Sequence, residues 1–112
     1  MQKVVLDTNV LVSALWSGNN KPATIVEMFL EKKIMLYYSV KMIEEYKEVL
    51  TRPRLNFSHN KVSSLLCEII NDGIISYPDK STIPFTDEND RIFYDTAIEN
   101  EAELTLHGSF LS

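Results

Sequence analysis

The sequence has little cysteine, little glycine and no long apolar run. Its one cysteine, Cys67, allows no internal disulfide and suggests a reducing, cytoplasmic location. No apolar run reaches the roughly 20 residues that span a membrane, and the chain enters a strand-like run at once, which predicts no signal peptide. None of its three glycines forms a phosphate-binding loop, which argues against dinucleotide and P-loop sites.

Basic residues are also scarce, since 11 of them stand against 16 acidic ones and the formal net charge is −5. A simple nucleic-acid binder is normally basic. The balance therefore disfavours that class of protein, unless a metal ion neutralises several of the carboxylates.

Short apolar runs alternate with helical patterns along the chain. Strands are predicted at residues 3–6, 34–38, 74–78 and 102–106, and a loop at residues 17–20. Helices are predicted at residues 10–15, 22–33, 40–51, about 59–71 and 87–101. This alternation is typical of a parallel sheet covered by helices on both faces. The length of 112 residues indicates a single domain.

The stretch VVLDTN ends an apparently buried strand on a carboxylate, Asp7. In open α/β sheets, ligands bind beyond the carboxyl ends of the strands. Thr8 and Asn9 add two further polar groups at the same strand end. A helix cap or an ion pair with a lysine is the structural alternative, but the cluster of polar groups favours a functional acid.

The second candidate acid, Glu45, lies in the helical segment SVKMIEEYKEVL. At about 100° per residue, this segment has one apolar stripe along the helix, which predicts core positions for Met42, Ile43, Tyr46, Val49 and Leu50. Glu44 and Glu48 lie opposite that stripe and are predicted to be solvated. Glu45 lies on its flank, from which a side chain can reach inward, although taken alone it would be interpreted as a surface residue.

The third candidate acid lies in the segment FTDENDRIFYDTAIEN. Asp90 shares a helical face with Phe93, which predicts that this aspartate belongs to a buried stripe. Asp87, one turn earlier, suits the helix N-terminus, where acids interact favourably with the helix dipole. Asp95 points away from the stripe and is predicted to be solvated.

The three candidate acids can lie together at one edge of the sheet, where Asp7, Glu45 and Asp90 would share a cleft. Carboxylates that close repel each other, and a divalent cation removes the conflict. Oxygen ligands suit Mg²⁺ or Mn²⁺, whereas the single cysteine and the two histidines lack zinc-ligand spacing. A carboxylate-held metal with open positions suits phosphodiester hydrolysis by an activated water.

Taken together, the three segments resemble the PIN-domain family over nearly the whole chain. The resemblance is closest to small prokaryotic toxin components related to the VapC-like toxins. It implies a Rossmann-like α/β/α sandwich with a central parallel sheet, and a metal-dependent ribonuclease that is usually specific for single-stranded RNA. It also implies a cognate antitoxin as partner, and such toxins often form homodimers.

By position, the resemblance assigns roles to individual residues. Asp7, Glu45 and Asp90 match the first, second and third family acids. Asn9 matches the polar residue that often supports the first acid, and Asp87 matches a commonly acidic neighbour.

The end of the sequence departs from the family pattern. Family members continue after the last strand with a threonine–glycine pair and an acid or asparagine, whereas LTLHGSFLS follows here and no acid comes after Glu103. The fourth polar position is absent or is taken by His107 or Ser109, and the fold is expected to be short at its C-terminal end. A second hypothesis is therefore a catalytically impaired PIN-like module that binds RNA or a protein partner.

Two smaller expectations concern the remaining side chains. Lys47, Arg52 and Arg54 could contact phosphates near the second acid, although solvated surface bases are the alternative. Cys67 is predicted to be a small core residue of its helix.

Overall fold

The computed structural model describes residues 1–16, 20–78 and 88–105. For residues 88–90 it describes the backbone only. Most of the loop predicted at residues 17–20 lies outside these ranges. The strands of the described residues are β1 Gln2–Leu6, β2 Ile34–Tyr38, β3 Ile74–Ile75 and β4 Glu103–Thr105. The helices are α1 Thr8–Trp16, α2 Lys21–Leu30, α3 Val40–Leu50, α4 His59–Asp72 and α5 Glu88–Asn100, and a short 3-10 helix spans Pro53–Leu55.

The four strands form a parallel sheet in the order β3-β2-β1-β4. Val4, Val5 and Leu6 of β1 are at most 1% exposed, so both faces of this central strand are covered. The connections from β1 to β2 to β3 run one way along the sheet, and the connection from β3 to β4 returns. Right-handed crossovers of opposite direction place their helices on opposite faces. The predicted α/β sandwich is confirmed.

Polar caps determine where two of the helices begin. Ser39 follows β2 in an extended conformation, and its Oγ accepts a hydrogen bond of 3.3 Å from the backbone N–H of Met42. The side chain of Asn20 accepts a bond of 2.8 Å from Ala23, and Pro22 occupies the first turn of α2. Both caps satisfy backbone donors that have no partner within their own helix.

Two predictions are wrong in detail. Cys67 is exposed, because it lies about 100° around α4 from Leu66, outside the buried stripe of that helix. The third strand is also shorter than the predicted residues 74–78. It pairs with Tyr37 and Tyr38, the last two residues of β2, and the ladder ends there because the next residue, Ser39, caps α3.

In the part of the chain that the structure describes, no helix combines the length and the apolar character needed to cross a membrane.

Candidate functional site

Asp7 joins the carboxyl end of β1 to the start of α1. Its Oδ2 accepts a hydrogen bond of 3.1 Å from the backbone N–H of Asn9. Its carbonyl accepts one of 3.0 Å from Val10, and its own N–H donates one of 3.0 Å to the carbonyl of Thr105 in β4. The residue is only 9% exposed. Main-chain bonds thus fix Asp7, and its carboxylate caps α1 with one oxygen.

A cavity of about 260 Å³, here called the acid cavity, lies beside Asp7. It is lined by Asp7, Thr8, Asn9, Val12, Glu45, Val49, Arg52, Arg54, Leu55 and Phe93. Glu45 is half-buried, whereas Glu44 and Glu48 are exposed, as the helical wheel predicts. The structure therefore brings the first two candidate acids, from separate elements, to one cavity.

A buried tyrosine ties α3 to the end of β1. The hydroxyl of Tyr46 donates a hydrogen bond to the carbonyl of Leu6, and its ring lies 6.0 Å from that of Phe93 between centroids. Burial raises the pKa of Tyr46 well above 10.0, and the negative charge of Asp7 raises it further. The sequence identified Tyr46 only as a core residue. Its hydroxyl was the available signal, because a buried tyrosine needs a hydrogen-bond partner.

The donor set of the acid cavity fits a hard divalent cation. Mg²⁺ is usually bound through one or two carboxylates and several waters. Thr8, which lines the same cavity, has a buried hydroxyl that makes no hydrogen bond within the described residues. A water bound to an ion would satisfy such a group. Asp7, Glu45 and Thr8 thus offer oxygen ligands of the kind that Mg²⁺ and Mn²⁺ accept.

The remaining predicted site residues are only partly described. Asp90 belongs to the first turn of α5, three residues before Phe93 of the acid cavity. Its side chain is not among those that the structure describes. Asp87, His107 and Ser109 lie outside the described residues. Among the side chains that are described, no group of three or more histidine, cysteine or acidic ligands occurs.

A second cavity, of about 480 Å³, lies at the ends of β2 and β3. It is lined by Ser39, Val40, Lys41, Ser76, Tyr77, Pro78, Arg91, Ile92 and Asp95. Asp95 is 6% exposed and Arg91 is 7% exposed, so the prediction that Asp95 is solvated is wrong. The helical wheel assumed one buried stripe, whereas α5 packs against both the sheet and α3 and buries a second face.

Comparison with known proteins identifies the family. A PIN-domain family model matches residues 3–105. An uncharacterized protein of Methanocaldococcus jannaschii, MJ1680, is 31% identical over 103 residues, which cover 89% of this chain and 66% of that protein. The chain thus matches just under two thirds of the length of this relative. PIN domains are generally nucleases and typically use divalent metal ions. Both acids of the acid cavity lie within the matched region, and the chain belongs to the PIN-domain family.

Proposed function

We propose that this chain is a metal-dependent ribonuclease that hydrolyses phosphodiester bonds of single-stranded RNA in the acid cavity. One observation carries the proposal: Asp7 and Glu45, which are distant in sequence, line the same cavity in a fold whose family is generally nucleolytic. Asp7 is only 9% exposed, and a buried carboxylate costs free energy that a neutral cap would not, so an acid at this position favours a role beyond capping.

In this proposal Asp7, Glu45 and Asp90 hold Mg²⁺ or Mn²⁺, and Asn9 and Asp87 support them. Residues three apart share a helix face, so the position of Asp90 three residues before Phe93 supports it as the third ligand. The backbone N–H of Asn9 orients the carboxylate of Asp7. Asp87 has weaker support, which is its place three residues before Asp90 in the sequence.

A divalent metal held by these residues would supply an activated water and would stabilise the leaving oxygen. The chain contributes position: main-chain bonds hold Asp7, and the hydroxyl of Tyr46 holds α3 so that the neighbouring Glu45 lies beside the cavity. Val12, Leu55 and Phe93 give the cavity apolar walls. No protein nucleophile is needed.

The decisive experiment follows cleavage of a fluorescent single-stranded RNA while the purified protein is titrated with Mn²⁺, with Asp7→Asn alongside. Asparagine caps a helix as well as aspartate does, so the variant keeps its fold but loses a charged ligand. We expect Mn²⁺-dependent cleavage that disappears in the variant, together with weaker Mn²⁺ binding by calorimetry. Folded wild-type protein that neither binds Mn²⁺ nor cleaves RNA would refute the proposal.

That negative result would favour the second candidate, a catalytically impaired module that binds RNA or a protein. The net charge of −5 favours this alternative, because strong RNA binders are normally basic. It predicts that Asp7→Asn changes neither the metal content nor the function of the protein.

We further propose that the chain acts in the cytoplasm as the toxin of a toxin–antitoxin pair, with a cognate antitoxin and a second copy of itself as partners. The sequence resemblance to small prokaryotic toxins supports this role. We expect induced expression in a bacterial host to arrest growth and Asp7→Asn to relieve the arrest. Light scattering would distinguish a monomer from a homodimer.

A further inference from the structure

We propose that Arg54, positioned next to Arg52, binds the phosphodiester backbone of the RNA in the acid cavity. This inference rests on the proposed ribonuclease function and names the part of the substrate that Arg54 contacts. Both arginines line the cavity that also contains Asp7 and Glu45. The third basic candidate of this region, Lys47, is exposed on α3 and is not among the described residues that line the cavity.

A short, well-defined turn presents the two arginines. Pro53 begins the 3-10 helix that follows α3, and Leu55 donates a backbone hydrogen bond of 3.1 Å to the carbonyl of Arg52. Asn56 closes the turn in the left-handed conformation, with φ 52° and a bond of 3.1 Å to the carbonyl of Pro53. Proline fixes φ, and asparagine tolerates the left-handed region better than most residues. The backbone between Arg52 and Arg54 is thus ordered before any ligand binds.

The guanidinium groups of Arg52 and Arg54 differ in their hydrogen bonds and ion pairs. The Nη2 and Nε of Arg52 donate bonds of 2.8 Å and 3.3 Å to the carboxylate of Glu48. This hydrogen bonding and the charge of Glu48 raise the pKa of Arg52, and the more distant charge of Glu45 adds to the effect. Arg54 is exposed and, within the described residues, takes part in no hydrogen bond or ion pair. Its donors are therefore available to a ligand.

The guanidinium of Arg54 fits a phosphate group. A guanidinium presents planar, paired donors that match phosphate oxygens, which a lysine ammonium does not. A phosphodiester held in the acid cavity would share its lining with the two acids proposed to bind the metal and with the guanidinium of Arg54. The acid cavity is lined by two arginines and two acids, so its formal charge is zero within a chain of net charge −5, and a bound divalent cation would make it positive enough to attract RNA.

The test compares Arg54→Gln with Lys47→Gln, which removes the same charge outside the cavity. Steady-state cleavage of fluorescent oligouridylate with Mn²⁺ gives KM and kcat. Fluorescence anisotropy of the same oligomer in EDTA gives Kd at several salt concentrations. We expect Arg54→Gln to raise KM and Kd about tenfold with a smaller effect on kcat. It should also lower the slope of log Kd against log salt by about 0.7, the value for one contact to single-stranded nucleic acid.

One further variant excludes a general loss of folding, and a second oligomer tests whether the contact is to the RNA backbone. Arg54→Lys keeps the charge and loses the paired donors, so we expect it to restore the salt slope fully and the affinity only in part. Because backbone contacts carry no sequence information, Arg54→Gln should weaken oligouridylate and oligoadenylate equally.

The outcomes separate this inference from the proposed function. Wild-type cleavage with equal KM and salt slope in Arg54→Gln and Lys47→Gln would overturn the role of Arg54 and leave the ribonuclease intact. Wild-type binding without cleavage, with the salt slope reduced only in Arg54→Gln, would support the contact and refute the nuclease. A wild type that does not bind oligouridylate would refute both.

Discussion

The neighbouring strands β1 and β2 both end on a polar residue that caps the next helix, but the two caps differ in charge. At the end of β1 the carboxylate of Asp7 accepts a hydrogen bond of 3.1 Å, and at the end of β2 the hydroxyl of Ser39 accepts one of 3.3 Å. Both residues are buried. Serine caps helices as well as aspartate, and a neutral hydroxyl costs less to bury than a carboxylate. Capping therefore explains Ser39 but does not explain why β1 ends on an acid.

The two strand ends also differ in their anchors. The hydroxyl of Tyr46 in α3 holds the carbonyl of Leu6 at the end of β1, so the helix that carries Glu45 is tied to the strand that carries Asp7. At the end of β2, the hydroxyl of Tyr38 donates a bond of 3.0 Å to the carbonyl of Ile70 in α4. We infer that the β1 end is built around the acid cavity, whereas the anchor of β2 ties that strand to α4, none of whose described residues line the acid cavity.

The largest expected effect comes from making the two ends alike. Asp7→Ser copies the cap of β2 onto β1, so α1 should stay capped while the proposed metal loses a charged ligand. Since substitutions of supporting residues around metal ligands already cost 10–100-fold, we expect RNA cleavage to fall by more than about 100-fold. The thermal unfolding midpoint of the metal-free protein should not fall.

The reciprocal variant is Ser39→Asp, which puts an acidic cap at β2 and should leave cleavage at the wild-type level. If Asp7→Ser still cleaved RNA at the wild-type rate, the acid at β1 would be a cap and nothing more.

A somewhat smaller effect is expected at Glu45, which α3 brings to the same cavity. Glu45→Gln removes a charge but keeps the size of the side chain and an amide oxygen that can still reach a metal, so we expect a smaller fall in cleavage, of about 10–100-fold. The adjacent Glu44→Gln makes the same chemical change at an exposed position of the same helix. Mn²⁺ affinity by calorimetry and initial cleavage rates should separate the two variants, and equal rates would exclude Glu45 from the site.

Much of the fold could be predicted from the sequence, because alternating apolar runs and polar caps act locally. The two errors of burial have different causes. Asp95 was assigned to solvent because a helical wheel shows only one buried face, whereas α5 contacts the sheet and α3. Cys67 was assigned to the core from its residue type, although the register of α4 places it outside the buried stripe.

The candidate site was predictable to a similar degree. A carboxylate at a strand end and a glutamate on the flank of an apolar stripe are local patterns, and Asp7 and Glu45 indeed line one cavity. The positions of Arg52 and Arg54 at this cavity were not predictable, because they depend on the turn after α3 and on the left-handed backbone of Asn56. The roles assigned to Asp90 and Asp87 stay predictions.

A substitution near the end of β2 is expected to have an intermediate effect, on the free energy of unfolding and not on RNA cleavage. Gly73, between α4 and β3, has φ −77°, which any residue adopts, so space and not backbone conformation requires glycine. A Cβ there would lie 2.4 Å from the carbonyl oxygen of Ile69 and 2.9 Å from the ring of Tyr38. We expect Gly73→Ala to lower the free energy of unfolding by about 1–3 kcal/mol, measured by urea denaturation.

The comparison of the two ends predicts that this loss leaves Mn²⁺ affinity and cleavage unchanged well below the melting temperature. Asn71→Ala, at an exposed position near the end of α4, is the control for the added helix propensity. A Gly73→Ala protein that lost Mn²⁺ affinity while folded would show that the two ends are coupled.

The smallest expected effect concerns the anchor of β1. Tyr46→Phe removes the donor to the carbonyl of Leu6, and we expect the free energy of unfolding to fall by about 1 kcal/mol near neutral pH. Tyr77→Phe is the matched control, because it removes the same hydroxyl from a side chain that is 78% exposed.

The same variant gives a pH signature that links the anchor to Asp7. Burial and the charge of Asp7 raise the pKa of Tyr46 in the folded protein, so folding favours the neutral phenol. The resulting stability is fully present below the unfolded pKa of about 10 and declines as the pH rises from there towards the folded value. Urea denaturation between about pH 8 and 11 should therefore show a shallower alkaline loss of stability in Tyr46→Phe than in the wild type or in Tyr77→Phe. Equal losses in all three proteins would mean that Tyr46 does not titrate differently in the folded state, and that the end of β1 is held by packing rather than by this buried hydroxyl.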